Sequence, residues 1–93
     1  MAHDLVELTR QAQKALKKVP FYIARKLLDW VEDVEERGIR EVRKIPGFHD
    51  EPLQGTRLGQ RSIRLSKAYR VIYSEHHGSV TIVKVLEVNK HDY

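Results

Sequence analysis

Two short segments limit most strongly what this chain can fold into. Residues 62–66 alternate between polar and apolar side chains, residues 69–73 form an apolar run, and only two residues separate them. This pattern favours two β-strands joined as a hairpin. On the first strand Ile63 and Leu65 share one face, which leaves Arg64 on the other. The hairpin therefore predicts a sheet with one apolar face and one face that carries charge.

Basic residues are concentrated around the predicted hairpin. The stretch 37–70 holds nine of them against three acidic residues, an excess of six that exceeds the net charge of +4 for the whole chain. Guanidinium groups without partners on a rigid sheet suit an anion, and polyphosphate is the obvious one. The asymmetry predicts a nucleic acid or an acidic protein as the partner, and charge alone does not choose between them. The nine basic residues are Arg37, Arg40, Arg43, Lys44, Arg57, Arg61, Arg64, Lys67 and Arg70.

The length of 93 residues predicts one domain, residues 1–93, with a single modest core. The longest apolar run is far shorter than a membrane span and no signal-peptide core follows the first residues, so we expect no membrane partner. The chain has no cysteine, which excludes a disulfide scaffold and makes a reducing cytoplasm the expected location. Its histidines lack ligand-like spacing, so we predict no metal and no cofactor.

The remaining segments predict an α+β domain. Thr9 is suited to cap a first helix, Pro20 to begin a second, and Gly38 to end it. The element order β-α-α-β-β-β indicates a helical hairpin packed on one face of a curved antiparallel sheet, with the other face left open. In chain order the predicted elements are an edge strand 4–8, helices 10–18 and 20–38, a short helical segment 39–45, a long loop 48–60, the hairpin, and a last strand 79–89.

Four segments carry a resemblance to a known family. They are residues 44–53, residues 59–65 followed by 69–73, and the basic and aromatic ending 89–93. With them the chain resembles the RelE/ParE superfamily of toxins from type II toxin–antitoxin pairs. It looks closest to the HigB-like and RelE-like ribonuclease branches, and the resemblance covers essentially the whole chain.

The resemblance implies a RelE-like fold and a small toxin that enters the ribosomal A site. There it would act as an mRNA interferase, an endoribonuclease that cleaves messenger RNA. The implied partners are the ribosome, its mRNA and a cognate antitoxin, whose acidic and amphipathic segment would cover the same basic surface.

Metal-free RNA cleavage uses the 2′-hydroxyl of the substrate as nucleophile, and it needs a base, an acid and cations around the phosphate. Arg64 and Arg70, on adjacent strands, suit a phosphate clamp. His91 is the expected acid or base, because imidazole titrates near neutrality. Asp92 is placed to orient His91, and Tyr93 to stack on a base or lie near the phosphate.

Five further residues are predicted to bind RNA. They are Arg57, Arg61, Lys67, Lys90 and His49. A solvated surface role remains open for each of the cations, and His49 has the alternative role of a loop cap. The general base stays unassigned, because no glutamate is matched to the one that pairs with a terminal histidine in one branch of the family.

Two other functions share this fold and charge. A ParE-like toxin inhibits DNA gyrase by protein contact and needs no acid–base group, and a non-catalytic RNA- or ribosome-binding module needs only the cations. The nuclease alone predicts that His91→Ala abolishes cleavage.

Overall fold

The computed structural model describes residues 4–90 and places eight helices and strands in them. No helix in this part of the chain is long and apolar enough to cross a membrane. Two single-turn 3₁₀ segments, Pro46–Phe48 and Gly55–Arg57, flank the second strand. The elements are β1 Leu5–Leu8, α1 Arg10–Leu16, α2 Phe21–Arg37, α3 Ile39–Val42, β2 Glu51–Pro52, β3 Gln60–Arg64, β4 Tyr69–His77 and β5 Thr81–Lys90.

The strands form one five-stranded sheet in the order β1-β5-β4-β3-β2. The α+β class, the helical hairpin and the β3–β4 hairpin are confirmed. The sheet is mixed, however, because β1 runs parallel to β5 while the other neighbours are antiparallel. Period-two alternation identifies a strand but not the direction of its neighbour, and the two-residue β2 is too short to show any alternation.

Helix α1 is fixed to the sheet through its N-cap residue, Thr9. The hydroxyl of Thr9 accepts a hydrogen bond from the N–H of Ala12 at 3.1 Å, which is the predicted N-cap. The same hydroxyl donates to the carbonyl of Leu86 at 2.8 Å. Leu86 is the extra residue of a β-bulge in β5, because Tyr73 pairs with Val85 whereas Ile72 pairs with Glu87. The bulge therefore gives α1 its anchor on β5.

The core lies between α2 and one face of the sheet. Ile23, Leu27, Trp30 and Val34 form an apolar stripe on α2 and are buried. Trp30 packs against Tyr73 with ring centroids 5.3 Å apart and planes tilted by 52°. Gly38 ends the helix with a φ of 87°, which favours glycine. The next turn is held by Asp4, whose carboxylate accepts the N–H of Ile39 at 2.7 Å.

Candidate nucleic-acid interface

Strand register determines which side chains lie on the sheet face away from the helices. Ile63, Leu65, Val71 and Tyr73 belong to the core, so the residues that alternate with them point the other way. We call this second side the outer face. Its row nearest the β3–β4 turn consists of Arg64, Arg70 and Asn89, and its next row of Ser62, Ile72 and Glu87.

Arg64 and Arg70 are directly opposite each other on β3 and β4. Arg64 is exposed and Arg70 is half-buried. Like charges in this relation destabilise a sheet, and no carboxylate among residues 4–90 forms an ion pair with either guanidinium. A bound anion would relieve the repulsion between these two unneutralised arginines.

The turn that joins β3 and β4 places a third cation beside this pair. The Ser66 hydroxyl oxygen accepts hydrogen bonds from the N–H groups of Ala68, at 3.1 Å, and Tyr69, at 3.2 Å. Lys67 lies at the exposed tip of the turn. Because Arg64 ends β3 and the turn follows directly, Lys67 is at the same end of the sheet as the two arginines.

Arg57 is held by a carboxylate of the protein. Its guanidinium donates to Glu87 at 2.6 Å and to Gln60 at 2.9 Å. Hydrogen bonds from Asn89 and then from Arg57 lower the pKa of Glu87 below its ordinary value, so this carboxylate is ionised at neutral pH. The loop that carries Arg57 thus reaches across the sheet, and Ile72 in the middle of the outer face is buried. The outer face is therefore open around Arg64, but the loop that carries Arg57 covers it around Ile72.

Arg61 lies on the helix side of the sheet. It pairs by register with Tyr73, and its guanidinium forms an ion pair with Asp50 at 2.6 Å. The Asp50 side chain is only 1% exposed and also accepts a hydrogen bond from the Tyr73 hydroxyl. Burial, and then the hydrogen bond to Asp50, raise the pKa of Tyr73, so the phenol remains a donor at neutral pH. Arg61 therefore anchors the loop before β2 to the core.

Glu51 is a residue of the outer face that the sequence did not identify. It is directly opposite Ser62, so its side chain lies on the same face as Ser62, and it is exposed. Arg64, two residues further along β3, is its diagonal neighbour, and residues in that relation are roughly 7–8 Å apart, within reach of long side chains. The neighbouring Asp50 points to the opposite side and fixes this strand. The site thus gains an accessible carboxylate beside its cations.

The other predicted residues are placed as follows. His49 is exposed, with a φ of 49°, and its N–H donates to the Pro46 carbonyl at 3.1 Å, which is the loop-capping role. Lys90 is exposed, and it alternates onto the same side of β5 as Val88, away from Arg70. His91, Asp92 and Tyr93 lie outside the described residues. No cluster of potential metal ligands is present among residues 4–90.

The fold places an α-helical hairpin on one side of the sheet and the pair of Arg64 and Arg70 on the other. The chain belongs to the ParE toxin family of type II toxin–antitoxin systems, whose family model matches residues 6–92. This confirms the prediction of the RelE/ParE superfamily. None of the curated proteins is significantly similar in sequence.

Solved structures of toxin–antitoxin complexes share the fold. The archaeal RelE–RelB complex from Pyrococcus horikoshii has a chain 28% identical to this one, with a TM-score of 0.71, and the match covers 97% of this chain and 96% of that one. The DinJ–YafQ complex from E. coli is similar at 18% identity and a TM-score of 0.72, covering 96% and 93%. The YoeB–YefM complex from Staphylococcus aureus is similar at 16% identity and a TM-score of 0.72, covering 98% and 100%.

Proposed function

We propose that this protein is a ribosome-dependent endoribonuclease that cuts mRNA in the A site and is neutralised by a cognate antitoxin in the cytoplasm. The observation that carries the proposal is the cross-strand pair of Arg64 and Arg70, which has no carboxylate partner among residues 4–90. A doubly cationic, partly exposed site suits a phosphodiester, and its charge suits the additional negative charge that develops as that bond is broken.

The proposed reaction needs no metal ion. Glu51 accepts the proton of the ribose 2′-hydroxyl, and the 2′-oxygen then forms a bond to the phosphorus. The bond from phosphorus to the 5′-oxygen breaks, and that oxygen receives a proton from the acid, a role that we assign to His91. Arg64 and Arg70 hold the phosphate oxygens throughout. The products are a 2′,3′-cyclic phosphate and a 5′-hydroxyl, with one proton gained by Glu51 and one lost by His91.

The proposal is tested by induced expression followed by primer extension on cellular messages. Wild type is expected to give discrete cuts that depend on translation. Arg70→Ala and Glu51→Gln are each expected to lower cleavage about 10²–10³-fold. Glu36→Gln, which neutralises an exposed carboxylate on α2, is the matched control and should cut like wild type. If Glu51→Gln cuts normally, Glu51 is not the base.

A second function is favoured by the family match, since the matching model describes ParE toxins. In this case the protein would inhibit DNA gyrase by contact, and growth would stop without any cuts in mRNA. Purified protein added to a gyrase supercoiling reaction separates the two functions. Inhibition of supercoiling together with intact messages would replace the nuclease by the gyrase inhibitor.

The antitoxin partner is supported by the fold relatives, which are found in complexes with antitoxins. Charge provides the physical reason. An acidic segment laid over Arg64 and Arg70 would neutralise both guanidinium groups and would block the phosphate site at the same time.

A further inference from the structure

A second basic surface lies at the edge of the sheet, beside α1. A groove of about 480 Å³ runs between this helix and the end of β5. One wall is formed by the cations Arg10, Lys14 and Lys18, and the other by Val88 and Asn89. The proposed reaction uses none of the three cations.

The three cations recur at intervals of four residues, so they lie along one side of α1 and its C-terminal extension. Each is exposed, and none forms an ion pair with a carboxylate among residues 4–90. The sequence around them contains no acidic residue from position 9 to position 28. The groove is therefore a positively charged channel whose charges are available to a ligand.

The groove is continuous with the arginine pair. Asn89, which lines the groove, is directly opposite Arg70, and Arg70 is directly opposite Arg64. The row of side chains across the outer face therefore leads from β3 over β4 to the edge of β5, where the groove begins. A strand held by the arginine pair would reach the groove by passing over Asn89 at the edge of β5.

We infer that this groove holds the backbone of the RNA strand that flanks the phosphate bound by Arg64 and Arg70. The inference rests on the proposed nuclease function for the identity of the ligand. Residues four apart on a helix are separated by about 6 Å along its axis. That spacing is comparable with the spacing of successive phosphates in an extended single strand, so each turn can present one cation to one phosphate.

The lining favours a nucleic acid over a protein. The apolar side chains among the described residues of the groove are Ala15 and Val88, both small. Protein partners are usually anchored by large aromatic or aliphatic side chains in well-packed pockets, and this groove offers no deep apolar pocket for them. Contacts through phosphates and cations depend strongly on salt, which gives the inference a direct readout.

The test measures binding of oligouridylates with 2′-O-methyl groups, which cannot be cleaved, by fluorescence anisotropy. One probe has about four nucleotides and the other about twelve, because only the longer strand extends from the arginine pair into the groove. The variant is Lys14→Ala combined with Lys18→Ala. Lys17→Ala is the matched control, since Lys17 is the exposed lysine that directly follows α1 and does not line the groove.

The double variant is expected to bind the longer probe roughly tenfold more weakly at about 0.1 M salt, with the salt slope reduced by about 1.4 for two lost phosphate contacts. Its affinity for the short probe and its melting temperature should match those of Lys17→Ala. Equal losses in the double variant and in Lys17→Ala would overturn the inference.

Two further outcomes separate this inference from the proposed function. If wild type cuts mRNA but the double variant binds the longer probe normally, the groove is not an RNA path although the nuclease function stands. If the double variant loses affinity only for an acidic peptide, the occupant is a protein and the inference is overturned. If wild type neither cuts mRNA nor binds either probe, the inference and the nuclease function fall together.

Discussion

Removal of the Asp50 carboxylate tests how the loop before β2 is held. Asp50→Ala leaves the Arg61 guanidinium without its ion pair and the Tyr73 hydroxyl without its acceptor, on the helix side of the sheet. Loss of one member of a buried ion pair costs about 3–5 kcal/mol. Arg61 is 23% exposed, so water compensates part of this loss and we expect about 3 kcal/mol. That is a large share of the roughly 5–15 kcal/mol that stabilises a domain.

The assay is thermal and urea unfolding of purified protein. A loss of about 3 kcal/mol lowers the melting temperature of a domain of this size by more than about 10 °C. The control is Asp29→Ala, which breaks the ion pair with Arg25 on α2, where both side chains are more than half exposed and the expected cost is below about 0.5 kcal/mol. Tyr73→Phe, which removes one hydrogen bond to Asp50, should cost about 1–3 kcal/mol. Equal stabilities of Asp50→Ala and Asp29→Ala would refute the structural role of Asp50.

Trp30, Arg64 and Glu87 each give a further prediction. Trp30→Ala, at a fully buried position against Tyr73, should cost about 3–5 kcal/mol in urea unfolding, and a wild-type midpoint would contradict its burial. Arg64→Ala should weaken both toxicity in growth assays and antitoxin binding in calorimetry, and unchanged binding would exclude a shared surface. Glu87 has a lowered pKa in the folded protein, so its contribution to stability is present above the ordinary pKa of an unfolded glutamate and is lost as pH falls through the folded pKa. Glu87→Gln should therefore flatten the dependence of melting temperature on pH in the acidic range, and a profile identical to wild type would show that the ion pair with Arg57 adds nothing.

Local signals in the sequence predicted the elements well. Thr9, Pro20 and Gly38 each act within a few residues, so the boundaries of α1 and α2 could be predicted to within two residues. The alternation along β3 also predicts on which side of the sheet Arg61 lies, although the prediction for that residue did not use it. Arg61 has the parity of Ile63, so it must lie on the core side of β3.

Long-range pairing was the part that the sequence could not supply. Glu87 is 30 residues from Arg57, and no local pattern indicates that these two side chains meet. Glu51 lies on a strand of two residues, where alternation cannot be recognised, and only its register with Ser62 places it on the outer face. The parallel pairing of β1 with β5 likewise joins the two ends of the chain, and no local pattern indicates it.

The basic stretch does not form one uniform surface, because three of its seven arginines form ion pairs within the protein. Arg43 is ion-paired with Glu75, Arg57 with Glu87 and Arg61 with Asp50. Each of these guanidiniums is neutralised locally and would have to leave its carboxylate before it could bind a phosphate. Arg64 and Arg70 instead face each other, an arrangement that costs stability in the free protein. The attraction for an anion is therefore concentrated at this pair, where binding also removes the repulsion.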